Sequence, residues 1–204
     1  MSDPTPSVMP ETPESTVKHL RGLSLYLVGM MGVGKSTVGR AIAQSLKYRF
    51  FDTDDLIEQV AKKSIPDIFA SDGETAFRTL ETQVLSQLSR QTRSVIATGG
   101  GIVTQQDNWR RLRNGAIIWL DAPVEVILQR LRANPEEVAN RPLLQTANPE
   151  ETLTNLLNDR QSLYANADLR ITIAAGDRPD AIVNQVLSGL RAILHPAIVG
   201  ADNN

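Results

Sequence analysis

Eight consecutive residues, Gly29-Met30-Met31-Gly32-Val33-Gly34-Lys35-Ser36, with Thr37 following, satisfy the pattern G-x-x-x-x-G-K-[ST]. Each residue type has a physical reason to be there. The glycines let successive backbone N–H groups turn inward and approach phosphate oxygens closely. A helix opening near Lys35 aims its positive end at the same point. The stretch from Gly32, Val33 and Gly34 into Lys35, Ser36 and Thr37 is therefore expected to cradle phosphates. Lys35 would bridge the outer phosphates, and the Ser36 hydroxyl would be a ligand for Mg²⁺. The bland alternative is a Gly-rich turn with an exposed lysine. An apolar run before the loop and an amphipathic segment after it favour a nucleoside triphosphate site.

Further along, Asp52-Thr53-Asp54-Asp55 follows Phe50-Phe51. In an extended chain, residues two apart face the same way, so Asp52 and Asp54 can point together. One carboxylate could hold a metal's water shell while the other accepts a hydroxyl proton. Alternatively, Thr53 or Asp54 merely caps the next helix. Gly99, Gly100 and Gly101 end another apolar run and free the backbone to touch a ligand.

Arg160 lies near the centre of a helical stripe made by Leu153, Leu156, Leu157, Leu163 and Tyr164. An inward arginine must meet an anion or lose its hydration uncompensated. A buried structural ion pair would also satisfy it. Arg78 sits at the edge of its own stripe, where a solvated pair with Glu74 competes with a binding role. Arg141, in Asn140-Arg141-Pro142-Leu143-Leu144, lies in a Pro-, Asn- and Glu-rich stretch at about 133–149. That stretch suits a lid bringing positive charge to a phosphoryl group, or an ordinary surface loop.

These residues need a scaffold. Strands are expected at Leu23–Val28, Phe50–Phe51, Ser94–Thr98, Ala116–Leu120 and Leu169–Ile173. Helices are expected at Lys35–Leu46, Asp55–Lys63 and Glu74–Arg90, with a further turn around Ile65–Ala70. Others are expected at Pro123–Arg132, Glu150–Tyr164 and Asp180–Leu194. Ser71-x-x-Glu74 reads as a capping box for the third helix. Alternating strands and helices imply an α/β fold: a five-stranded parallel sheet with helices on both faces. Ligands bind such sheets at the strands' carboxyl ends, where the residues above fall.

Composition bounds the rest. A chain of 204 residues suits one domain. Residues 1–20 hold four prolines within the first thirteen positions and read as a disordered tail. Residues 196–204 read as a flexible end, leaving a single domain at 21–195. A net charge of −2 argues against a nucleic-acid coat. Uncharged stretches reach only 13 residues, against about 20 for a bilayer span, so no membrane partner is expected. There is no cysteine for disulfides or thiolate sites, and the N-terminal stretch lacks a secretory or transit pattern. A cytoplasmic monomer is expected. Of 21 basic residues, 16 are arginine, an excess whose meaning depends on where the arginines converge.

Taken in order, GMMGVGKST, FDTDD, IFASDGETAFR, TGGG, NRPLL and Arg160-x-x-Leu163-Tyr164 closely resemble the shikimate kinase family over about Leu23–Leu194. The resemblance implies a P-loop NTPase fold of the nucleoside-monophosphate-kinase type with a lid. It implies transfer of the ATP γ-phosphoryl group to the 3-hydroxyl of shikimate, with Mg²⁺ as cofactor. By motif match, Asp54 would hold the substrate hydroxyls and act as base, and Asp52 would help Ser36 position Mg²⁺. Arg78 and Arg160 would grip the shikimate carboxylate, beside Gly99, Gly100 and Gly101. Phe69 and Phe77 would wall the ring, and Glu81 would orient Arg78. Arg141 would be the lid arginine, acting with Lys35 on the transferred group. Arg130 and Pro179 would lie beside the adenine, with Arg132 competing for the first of these places.

Gluconate kinase is the nearest rival, since gluconate also carries a carboxylate and hydroxyls. A nucleotide kinase would need a base-recognition pocket that the sequence does not suggest. A non-catalytic relative should have lost Lys35, Asp54 or Arg141, and all three are present.

Overall fold

A computed structural model of the chain describes residues 20–133 and 141–194. Five strands form one sheet: β1 (Leu25–Val28), β2 (Arg49–Asp52), β3 (Ser94–Ala97), β4 (Ala116–Asp121) and β5 (Leu169–Thr172). The order is β2-β3-β1-β4-β5, and every pairing is parallel. The register sets the site. Leu27 and Asp52 both pair with Ala97, so the carboxyl ends of β1, β2 and β3 come level.

Around the sheet run α1 (Lys35–Leu46), α2 (Thr53–Ala61), α3 (Ile65–Ser71) and α4 (Gly73–Leu88). They are followed by α5 (Gln106–Leu112), α6 (Val124–Ala133), α7 (Pro149–Tyr164) and α8 (Pro179–Leu194). All four β1 residues are 0% exposed, so the sheet is covered on both faces. Helix α1 packs over β2 and β3 and against α8, while α4 packs against α2, α3 and α5. Helix α1 comes close because position 39 is glycine. A Cβ there would lie 2.7 Å from the Phe50 ring and 3.0 Å from Leu27, pushing the helix off the strands that aim its N-terminus.

The expected fold class and all five strands are present. Several local expectations are corrected. The capping box fails because Ser71 is the last residue of α3, where its Oγ donates to the Asp67 carbonyl. Helix α4 instead starts after Asp72, whose side chain makes no cap hydrogen bond, at Gly73 with φ +80°. The cap of α2 is Asp52, not Thr53 or Asp54: its Oδ1 accepts from the Asp54 amide at 3.0 Å. Asp52 and Asp54 therefore converge through the turn from strand to helix rather than along an extended strand.

Helix α5 was not anticipated. Its inward residues include the polar Asn108, whose Nδ2 donates to the Ile102 carbonyl, so it carries little apolar periodicity. Leu20, assigned to the tail, is 2% exposed in the core, because an apolar side chain there gains by burial. The rest of the expected N-terminal tail, the expected C-terminal end and residues 134–140 of the expected lid lie outside the described residues.

Candidate active site

Two cavities open side by side at the carboxyl ends of β1, β2 and β3. The first, about 290 Å³, is lined by Asp54, Phe69, Phe77, Arg78, Glu81 and Arg160, with Gly99–Gly101. The second, about 300 Å³, is lined by the phosphate loop (Gly32, Gly34, Lys35, Thr37) with Arg130, Asp177 and Pro179. Ser36, Asp52, Asp54, Gly100 and Arg141 line both, so the cavities share a wall.

The phosphate loop takes the expected shape. Gly34 caps α1 at φ +99°, a conformation that a side chain would strain. The Val33 side chain is turned into the core, so this residue offers only its backbone. Lys35 is 9% exposed, and its Nζ donates to the carbonyls of Gly29 (2.9 Å) and Met30 (2.8 Å). Burial lowers its ammonium pKa to about 8, and the nearby positive charge of Arg141 adds to the shift.

Ser36 Oγ donates to Asp52 Oδ2 at 2.6 Å, while Asp52 Oδ1 holds the α2 amide. Among the described residues no group of three or more His, Cys, Asp or Glu side chains forms a metal cage. One hydroxyl and one carboxylate beside an anion-binding loop do suit Mg²⁺, which takes few protein oxygens and keeps waters and phosphates as its other ligands.

Asp54 is half-buried, and its Oδ1 is out of solvent with no hydrogen-bond partner among the described residues. Burial raises its pKa, and repulsion from Asp52 adds to this, while Lys35 and Arg141 oppose it. A carboxylate with raised basicity and an unused acceptor oxygen can take a proton from a hydroxyl placed beside it.

Arg78 resolves an ambiguity, since it pairs on both sides. Its Nη2 meets the exposed Glu74 at 3.0 Å, and its Nη1 meets the fully buried Glu81 at 2.9 Å. Burial pushes the Glu81 carboxyl above its ordinary range, against the pull of Arg78. Gly101, with an ordinary φ of −92°, is needed for space: a Cβ there would collide with the Arg78 guanidinium. Phe69 and Phe77 pack with ring centroids 4.8 Å apart, forming an apolar wall.

Arg160 is 6% exposed on α7 and forms no salt bridge among the described residues. Its charge faces the first cavity, where the buried Glu81 feels it electrostatically from beyond salt-bridge distance.

Arg141 begins the described part of the expected lid. Leu144 behind it is buried, and Pro142 and Leu143 line the first cavity. Arg130 Nη1 donates to the Val33 carbonyl at 2.6 Å beside Gly34, whereas Arg132 is exposed and lines neither cavity. Of the two, Arg130 is the one that lines the second cavity. Sequence reasoning missed Met31, Ile65 and Leu143 on the first cavity's apolar wall and Asp177 on the second. Met31 stood inside the recognised loop, but Asp177 carried no motif.

A family model described as shikimate kinase matches residues 31–191. The chain belongs to the shikimate kinase family. A shikimate kinase of Microcystis aeruginosa is 50% identical over 180 residues, covering 87% of this chain and 93% of the relative. One from Synechococcus elongatus is 49% identical over 180 residues, covering 88% and 93%. Among solved structures, a shikimate kinase from Acinetobacter baumannii in complex with shikimate has a TM-score of 0.79 at 39% identity, covering 90% of this chain and 99% of that one. A gluconokinase from Sinorhizobium meliloti reaches a TM-score of 0.53 at 17% identity, covering 86% and 95%, a likeness that shows the fold alone. As a member of the shikimate kinase family the chain is an ATP-dependent kinase. The family match takes in every expected site residue from Gly32 to Pro179.

Proposed function

We propose that this kinase moves the γ-phosphoryl group of ATP to the 3-hydroxyl of shikimate, with Asp54 as base. The observation carrying this reading is the shared wall: Asp54, Asp52, Ser36, Gly100 and Arg141 stand between a cavity with a phosphate loop and a cavity with two arginines. A nucleotide in one and a carboxylic acid in the other would meet there.

In this reading Arg78 and Arg160 bind the shikimate carboxylate, which a guanidinium fork matches in shape. Phe69 and Phe77 cover the ring, and Gly99–Gly101 bring backbone to it. Asp54 receives the hydroxyl proton as the oxygen attacks. Lys35 and Arg141 hold the transferred group, and the ADP oxygen leaves on the far side. Ser36 and Asp52 would hold Mg²⁺, which supplies charge neutralisation between the phosphates. Arg130 and Pro179 flank the adenine.

We also take the enzyme as a cytoplasmic monomer. No helix among the described residues is long and apolar enough to cross a membrane. Sedimentation of the purified chain tests the monomer directly.

A coupled ADP-release assay with Mg-ATP tests the acceptor. Turnover is expected with shikimate and not with gluconate, quinate or nucleoside monophosphates. Turnover with a rival but not with shikimate would overturn the proposal.

Two further outcomes follow from the geometry. Gly101→Ala should displace the Arg78 guanidinium and raise the KM for shikimate roughly tenfold, the scale of one charge-assisted contact. The melting temperature should change little, because the clash falls on a side-chain end. An unchanged KM would show that Arg78 binds nothing from that seat.

For Lys35, the free site prefers the neutral amine above about pH 8, and a bound phosphate would restore the charge. Binding should then take up a proton, and affinity should fall as pH rises through 8. Calorimetry with metal-free ADP between pH 7 and 9.5 reads this, and a pH-independent Kd would contradict it.

A further inference from the structure

Tyr164 closes α7 one turn beyond Arg160, and its side chain is 0% exposed. Residues four apart on a helix share a face, so the tyrosine lies directly behind the arginine. Its hydroxyl donates to the Gly100 carbonyl at 2.6 Å, and the Arg160 guanidinium stands close enough to act on it electrostatically. The Met30 sulfur of the phosphate loop lies 3.7 Å from the same oxygen. From behind, the ring stacks on Trp119 of β4, with centroids 5.9 Å apart and planes at 26°. The hydroxyl is therefore held in place rather than free to turn.

Gly100 gives this contact its weight, because it lines both cavities. A Cβ at Gly100 would stand 3.3 Å from the Met31 amide nitrogen, 3.4 Å from the Gly29 carbonyl and 3.7 Å from Arg160 Nη1. Its peptide is wedged between the phosphate loop and Arg160. One phenol hydroxyl, bonded to Gly100 and beside both Met30 and the Arg160 guanidinium, sits where all three meet. Packing alone does not call for it. A phenylalanine ring would fill the same space, and a buried hydroxyl costs free energy unless its hydrogen bonds are made.

We propose that Tyr164 is a positioning residue for phosphoryl transfer. Its hydroxyl fixes the Arg160 guanidinium and the Gly100 peptide in one arrangement, so that the acceptor's carboxylate is held in register with the nucleotide loop. This inference rests on Arg160 binding that carboxylate.

Tyr164→Phe keeps the ring and removes only the hydroxyl. The KM for shikimate should rise roughly tenfold, the upper end for one hydrogen bond, with a smaller fall in kcat. In an Arg160→Ala background the same change should add nothing to KM, because there is no guanidinium left to position. With the analogue carrying CH₂OH in place of the carboxylate, wild type and Tyr164→Phe should bind alike, while each binds it more weakly than wild type binds shikimate.

A lower melting temperature with unchanged KM would overturn the inference, leaving Tyr164 a core residue only. So would a KM penalty that persists in full in the Arg160→Ala background. If Arg160→Ala itself leaves the shikimate KM unchanged, the reading of Arg160 falls and takes this one with it. If that variant raises KM and Tyr164→Phe does not, only the role of Tyr164 falls.

Discussion

Asp54→Asn is expected to lower kcat by at least ~10²-fold while leaving ATP affinity nearly unchanged. The substitution preserves shape, so the α2 cap on Asp52 and the Ser36–Asp52 hydrogen bond should survive. What it removes is the ability to take a proton. Asp54 is suited to that task by two features: a buried Oδ1 with no partner among the described residues, and a pKa raised first by burial and then by Asp52. Steady-state kinetics with a separate nucleotide-binding titration would separate the two quantities. Near-normal turnover would remove Asp54 from the chemistry and leave it only as part of the wall.

Arg160→Ala is expected to cost acceptor binding ~2–5 kcal/mol, the range for truncating one partner of a desolvated charge pair. The size follows from burial, because Arg160 is 6% exposed and forms no salt bridge with a described carboxylate, Glu81 acting on it only from a longer distance. Arg78 should remain held by Glu74 and Glu81, so the loss should not be compensated by its swinging across. ATP affinity should change little. A shikimate Kd within a factor of two of wild type would refute a carboxylate-binding role.

Much of this site was legible in the chain, and for identifiable reasons. Glycines and a lysine at fixed spacing between a strand and a helix allow few conformations, so the phosphate loop could be read outright. Arg160 was legible because a charge in the middle of a leucine stripe contradicts the pattern around it. Alternation of apolar runs with amphipathic segments gave the parallel sheet.

What escaped depended on tertiary packing. Helix α5 turns Asn108 inward, where its hydrogen bond replaces the apolar signal. The capping box failed because Ser71 ends the preceding helix, a boundary that local spacing does not set. The roles of Glu74 and Glu81 around Arg78 could not be separated along one helix. Both lie within a turn of Arg78, and only burial distinguishes them. The arginine excess became informative once Arg78, Arg141 and Arg160 were seen to line one cavity.

The most direct test is to identify the product. After incubation with Mg-ATP and shikimate, phosphorus and proton NMR should show one phosphate ester on the 3-hydroxyl, formed in step with ADP. ADP release without that ester, or a phosphate on another hydroxyl, would contradict the account.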